Sequence, residues 1–223
     1  MTKRINIKKL ALASALCALA FVSMFVFRIK VQFLTFDAKD AIIGLASLLL
    51  GPLYGVCGAA VVAVLEFLSV SDTGVYGLIM NFLSSGTFAL ACGVIYKYKR
   101  TFSGAVAAVS ISVLSVTAVM MLANLFITPV FMGAPRSAVI AMLPTLLLPF
   151  NLAKSAMSAA IALIIYKPLS SSLKRAGLLP SDGQVYRFNI RSAIITVCAV
   201  IVIVLAALVL FLYLDGTFQF IRA

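Results

Sequence analysis

The chain has 223 residues and carries 18 Lys and Arg against 6 Asp and Glu, a formal net charge of +12, with no histidine. Charged residues make up 11% and hydrophobic residues 64%, with a mean hydropathy of +1.18, whereas a soluble domain carries about twice that charged fraction. A soluble globular fold is excluded, and so are imidazole acid–base catalysis, His-ligated metals and Ser–His chemistry.

The apolar content comes in runs near the roughly 20 residues that cross a bilayer as a helix, and the chain reads as a polytopic helical membrane protein. The first span covers residues 10–27. The preceding "MTKRINIKK" resembles the basic start of a signal peptide, but the apolar run continues without a cleavage site, so a retained helix is expected. Ala11, Ser14, Ala15 and Ala18 recur at i, i+3, i+4 and i+7 on it. That smooth stripe suits either a close-packed partner helix or internal packing.

Residues 31–55, "VQFLTFDAKDAIIGLASLLLGPLYG", then interrupt the apolar pattern with Asp37, Lys39 and Asp40. They read as a loop that mixes Phe33, Leu34 and Phe36 with charges, a lid or wall beside a polar site. Capping of the next helix is the plainer role for Asp40. The second span runs from about 40 to the stop at Gly51-Pro52, the third over 53–70 and the fourth over 75–96. Asp72-Thr73-Gly74 makes a turn between the last two, with Asn81 one turn into the fourth.

The fifth span covers 105–127, with Asn124 and Thr128 one turn apart and Pro129 expected to end it. The sixth, 146–166, is entered through "LPTLLLPFN". Asn151 and Lys154 share a helix face there, and an amine at membrane depth marks a partner or a ligand unless it snorkels to the interface. A polar linker over 169–191 separates this six-helix domain, 1–168, from a seventh, aliphatic span over 192–214 and a short tail, 215–223. The four cysteines lie inside apolar stretches without CxxC spacing and read as small hydrophobes.

The basic residues orient the chain. With the N-terminus cytoplasmic, twelve of the 18 Lys and Arg fall inside, the bias expected of cytoplasmic loops, and a seven-span chain then ends outside. Because the positive charge flanks apolar spans, no nucleic-acid partner is implied. Asp37, Lys39, Asp40, Glu66, Asp72, Asn124, Thr128, Asn151 and Lys154 all gather at the outer end, which suggests a pocket open to the outside.

Four segments in register, "FLTFDAKD…GPLYG", "GLIMNFLSSGTFAL…IYKYKRT", "NLFITPVFMG" and "LLPFNLAKSAMSAAIALIIYKP", resemble the riboflavin-specific S component of energy-coupling factor (ECF) transporters over residues 8–168. The resemblance implies an all-α membrane protein, a compact six-helix S-component bundle, to which this chain adds a C-terminal transmembrane helix. It implies a binding subunit of a bacterial plasma-membrane uptake system, not an enzyme. Riboflavin would be captured outside, and a transmembrane coupling subunit with two ATPases would drive delivery. Neither metal nor cofactor is expected, and ATP would be used by the partners, since the chain has no GxxxxGK[ST] loop.

Carried over on "PFNLAK", Asn151 and Lys154 are expected to bond the flavin or its ribityl tail. Asn124, Thr128, Asp37, Lys39, Asp40, Phe36, Asn81 and Glu66 complete the expected site. The AxxxA pattern of Ala11 and Ala15, with Ser14 and Ala18, would meet the coupling subunit. Two alternatives stay open. One is an S component for another vitamin or for flavin mononucleotide, with Lys39, Arg28, Lys30 and Arg136 available to a phosphate. The other is an intramembrane lipid-modifying enzyme built on the "DAKD" acids.

Overall fold

A computed structural model describes residues 7–179 and 190–218. The apolar runs become helices: α1 (Ile7–Val26), α2 (Lys39–Leu50), α3 (Pro52–Ser69), α4 (Gly74–Tyr98), α5 (Phe102–Met132), α6 (Arg136–Met142), α7 (Leu148–Arg175) and α8 (Ile190–Leu208). One π-helical turn, Leu143–Leu147, joins α6 to α7, and another, Val209–Tyr213, extends α8. Among the described residues six helical stretches are long and apolar enough to cross a membrane, the last being Ala193–Tyr213. Their large exposed side chains are apolar, such as Leu53, Leu114 and Leu212, as a lipid-facing surface requires.

The all-helical expectation holds for the bundle, with one addition. Between α1 and α2 the chain forms a hairpin, β1 (Arg28–Val31) and β2 (Leu34–Asp37), and β3 (Thr217–Phe218) pairs antiparallel with β1 to give the order β2-β1-β3. Gln32 takes a φ of 52° at the reversal, the positive value a two-residue hairpin loop needs at its first position.

The second expected span is not a full crossing. α2 has 12 residues, about 18 Å of helix against roughly 30 Å of hydrocarbon. It is instead enclosed: every α2 residue except Leu49 is buried, against α1, α3, α4 and α7. Gly51, at φ 113°, turns the chain into Pro52 at the start of α3, as the "GP" signal suggests. At Gly93 of α4 an added Cβ would stand 2.6 Å from Pro52 Cα, so only glycine lets this turn sit against α4.

Three other boundaries move. Pro129 lies inside α5 and does not end it; the helix runs one turn further and closes at Gly133 in the left-handed region. Residues 136–145 are already helical before the sixth expected span begins. α7 continues past Pro168 to Arg175, and Leu173 and Leu179 pack beside Ala13 and Leu16 of α1, so the polar segment begins as helix. The rest of that segment, 180–189, and residues 1–6 and 219–223 lie outside the described residues, with Lys3, Arg4 and Arg187 of the cytoplasmic charges.

Contacts sort the helix ends into two groups. The hairpin meets the α3–α4 turn through Lys30 and Asp72, the end of α5 through Phe33 and Phe131, and α7 through Thr35 and Lys154. At the opposite end Lys167 of α7 lies over Phe102 of α5, and Tyr96 of α4 shares a hydrogen bond with Tyr166 of α7.

Because the obstacle at Gly93 is backbone, Gly93→Ala is expected to lower stability by about 1–3 kcal/mol through overpacking, read as an earlier thermal midpoint in detergent. Leu114→Ala, on the lipid face, should leave that midpoint in place. Equal midpoints for Gly93→Ala and parent would show that the α2–α3 turn yields freely.

Candidate ligand site at the hairpin end

Five charges near the hairpin bury themselves by pairing. Lys39 Nζ donates to Asp37 Oδ2 at 2.9 Å and to Glu66 Oε2 at 2.8 Å, and the Lys39 backbone N–H donates to Asp37 Oδ1 at 3.1 Å. Lys154 Nζ lies 3.5 Å from Asp40 Oδ2 and donates to the Thr35 carbonyl oxygen at 3.2 Å. Ser85 donates to the other oxygen of Asp40. All five charged side chains are buried. Burial alone would raise the Asp37 carboxyl, but the Lys39 and Lys154 ammoniums outweigh it and hold the carboxyl below its ordinary range.

Beside this network lies a cavity of about 380 Å³, within the range of small-molecule pockets. Its polar wall comes from facing helices. On α5, Asn124 donates to the Met120 carbonyl at 2.7 Å and accepts from Thr128 at 2.8 Å. On α7, Asn151 donates to the Leu147 carbonyl at 2.8 Å, and among the described residues nothing bonds its Oδ1. Asn124 is thus tied to its own helix at both nitrogen and oxygen, each with one further bond to offer, whereas Asn151 is tied at nitrogen alone and keeps its oxygen for a ligand. Glu66, Asn81, Ser84 and Lys154 also reach the cavity.

The apolar wall is aromatic at the mouth. The Phe33 ring centroid lies 6.0 Å from that of Phe131, and Tyr76 stands edge-on to Phe131 at 5.9 Å. Met80, Met120, Ile127 and Phe150 continue it inward. The Lys30–Asp72 pair, 3.1 Å apart and partly exposed, spans the mouth from β1 to the α3–α4 turn.

Of the residues singled out from the sequence, Asn81, Asn124, Thr128, Asn151, Lys154 and Glu66 meet at this cavity. Four do not line it. Asp37, Lys39 and Asp40 are not on a loop: Asp37 ends β2, and the other two lie in the first turn of α2. Unscreened charges in an apolar bundle are stable only when paired, so they bind one another and their neighbours. Asp40 makes no cap bond. Phe36 alternates with Thr35 along β2 and so points away, edge-on to Phe27 at 5.6 Å.

Lys154 does not snorkel; it is 6% exposed and held on both sides. Arg28 and Lys30 line the mouth, whereas Arg136 lies over Phe126 and outside the cavity. Tyr76, Met80 and Phe131 went unread, because an aromatic or Met near a helix end carries no sequence mark that separates cavity from core. Ala11, Ser14, Ala15 and Ala18 are all exposed, opposite the buried Ala13, Leu16 and Ala20; internal packing of the stripe is overturned. Cys92 alone of the cysteines is buried, while Cys57 and Cys198 are exposed on the apolar surface.

The sequence profile of the family "ECF transporter, substrate-specific component" matches residues 8–170. The riboflavin transporter RibU of Staphylococcus aureus (strain TCH60) is 31% identical over 179 residues, which cover 75% of this chain and 93% of that protein. A solved structure of the S component of a bacterial ECF transporter superposes with a TM-score of 0.64 at 29% identity. It covers 75% of this chain and 98% of its own.

Removing the central ammonium with Lys39→Met strands two buried carboxylates, and the expected cost is about 3–5 kcal/mol, read as lost thermal stability in detergent. Asp72→Asn removes only the exposed Lys30–Asp72 pair and is expected to cost less than about 1 kcal/mol. Equal losses for the two variants would contradict a buried network.

Proposed function

This chain belongs to the substrate-specific component family of ECF transporters, and on that premise we propose that it captures riboflavin in the cavity at the hairpin end. It is a multi-pass membrane protein. The observation that carries the ligand reading is the composition of the cavity: aromatic rings at the mouth, with amides and an ammonium within. Riboflavin presents an apolar three-ring face, a pyrimidine edge of alternating donors and acceptors, and a polyhydroxylated tail. Phe33, Tyr76 and Phe131 suit the rings, and Asn124 and Asn151 suit the alternating edge. Thr128, Asn81, Glu66 and Lys154 suit hydroxyls.

In this reading the hairpin end faces outside, because the basic residues of α1, the α4–α5 turn and the end of α7 gather at the other end. The N-terminus is then cytoplasmic, the C-terminus outside, and the membrane is the plasma membrane of a bacterium. Residues 1–168 would form the binding domain. The chain has no phosphate-binding GxxxxGK[ST] loop, so ATP would be hydrolysed by two partner ATPases. A transmembrane coupling subunit would dock on the exposed stripe of Ala11, Ser14, Ala15 and Ala18.

Flavin mononucleotide is the second reading, favoured by Arg28 and Lys30 at the mouth. The lipid-modifying reading loses its basis, since the "DAKD" acids are held by Lys39, Ser85 and Lys154.

Purified protein titrated with riboflavin is expected to quench flavin fluorescence at about one equivalent, and to prefer riboflavin over its phosphate. Asn151→Ala should weaken binding by about 1–3 kcal/mol, the cost of an unpaired buried group, and Lys97→Ala should not. Tight binding of another vitamin without riboflavin binding would end the assignment.

Ala15→Leu places bulk on the exposed stripe, where close helix contact needs small side chains. Cells bearing it are expected to lose riboflavin uptake while the purified variant keeps its affinity. Undiminished uptake at matched membrane levels would remove the stripe from the coupling surface.

A further inference from the structure

The hairpin has two faces, and the second is covered partly by the start of α7 and partly by a segment beyond the family match, which ends at residue 170. The register pairs Arg28 with Asp37 and Lys30 with Thr35 on one face, and Ile29 with Phe36 and Val31 with Leu34 on the other. Arg28, Lys30 and Thr35 line the cavity, and Leu34, beside the turn, reaches it as well. Ile29, Val31 and Phe36 are fully buried, in one cluster with Phe150, Ala153 and Met157 of α7 and, from beyond the match, with Ala206 of α8, Leu210 of the π turn and Leu214 just after it.

The chain then turns back along the hairpin. Asp215 takes a φ of 49°, and the Gly216 N–H donates to the Leu210 carbonyl at 2.7 Å. β3 follows, pairing Thr217 with Lys30 and Phe218 with Ile29. Position 216 has room for glycine alone, because a Cβ would lie 2.4 Å from Leu210 O and 3.1 Å from Val31 Cγ2. A two-stranded hairpin is marginal by itself, and a third strand with an apolar face is what makes one stable. Here the third strand comes from the far end of the sequence, and so does the part of the apolar cover that α7 does not supply.

We propose that α8 and β3 form a clamp on the back of the hairpin, which holds it closed over the cavity and sets how slowly ligand leaves. Lys30 is the point of convergence: its backbone pairs with β3, while its ammonium holds Asp72 across the mouth. A hairpin so fixed opens only when β1 parts from β3 or the whole sheet lifts from α7, so release is the step the clamp slows. Ligand identity in one arm of the test rests on the riboflavin reading; the other arm needs no ligand.

The test is amide hydrogen exchange across residues 28–31 in the ligand-free full chain, beside riboflavin dissociation by stopped-flow fluorescence. Gly216→Val should speed exchange at 28–31 by about tenfold or more, as expected when a local opening loses its restraint. Riboflavin should leave about tenfold faster, with association changed less. Leu210→Ala, which loosens the same anchor without touching the turn, should act in the same direction and serves if the first variant does not fold. Leu205→Ala, on the exposed side of α8, should match the parent in both readouts. Unchanged exchange at 28–31 in the folded Gly216→Val or Leu210→Ala protein overturns the clamp. If the parent binds no riboflavin, the ligand reading fails, and the exchange data still decide the clamp.

Discussion

Two lysine ammoniums buried in an apolar bundle are the constraint on which the rest of this structure depends. An ion held away from water costs several kcal/mol unless partners of opposite charge surround it. Lys39 and Lys154 find theirs on separate elements: Asp37 on β2, Glu66 on α3, and Asp40 on α2 itself. Ser85 of α4 and the Thr35 carbonyl of β2 complete the shell. Five elements are thereby pinned at one end of the bundle, none of which can shift without stranding a charge. That requirement also accounts for α2, a helix too short to span a membrane and polar at its first turn, which is stable because it is enclosed.

The cavity follows from the same arrangement. Glu66 and Lys154 belong both to the ion network and to the cavity wall, so charges that fix the scaffold also present polar groups to whatever enters. Asn124 and Asn151 are restrained in a different way, each by a bond to a carbonyl one turn back on its own helix. A ligand therefore meets groups already oriented, and little ordering of side chains opposes its binding. The mouth is softer, being closed by an exposed ion pair and three aromatic rings.

Much of this was legible in the sequence, for reasons that also explain what was not. Apolar runs and the Gly51-Pro52 stop located the helices because lipid tolerates few alternatives. Asn124, Asn151 and Lys154 stood out because polar groups at membrane depth are expensive and rarely without purpose. The pairing of Asp37, Lys39 and Asp40 is not legible in the sequence, because the decisive partner, Glu66, is 27 residues from Lys39, and no local pattern announces such a pairing. The hairpin escaped notice because its strands are four residues long and its turn, Gln32-Phe33, lacks the glycine or asparagine that usually marks one. A proline reads as a terminator, yet Pro129 in the last turn of α5 forfeits only one helix bond and leaves the helix free to close at Gly133. The pairing of β3 with β1 joins residues almost 190 positions apart, which periodicity cannot reveal.

The central claim is that the cavity bounded by the hairpin, α5 and α7 is where a flavin is held. The most direct measurement is an experimental structure of the full chain with riboflavin bound. The account predicts the three rings between Phe33, Tyr76 and Phe131, with the pyrimidine edge against Asn124 or Asn151. A flavin bound instead in the groove lined by Val113 of α5, Leu163 of α7 and Val202 of α8, with the hairpin-end cavity empty, would contradict it.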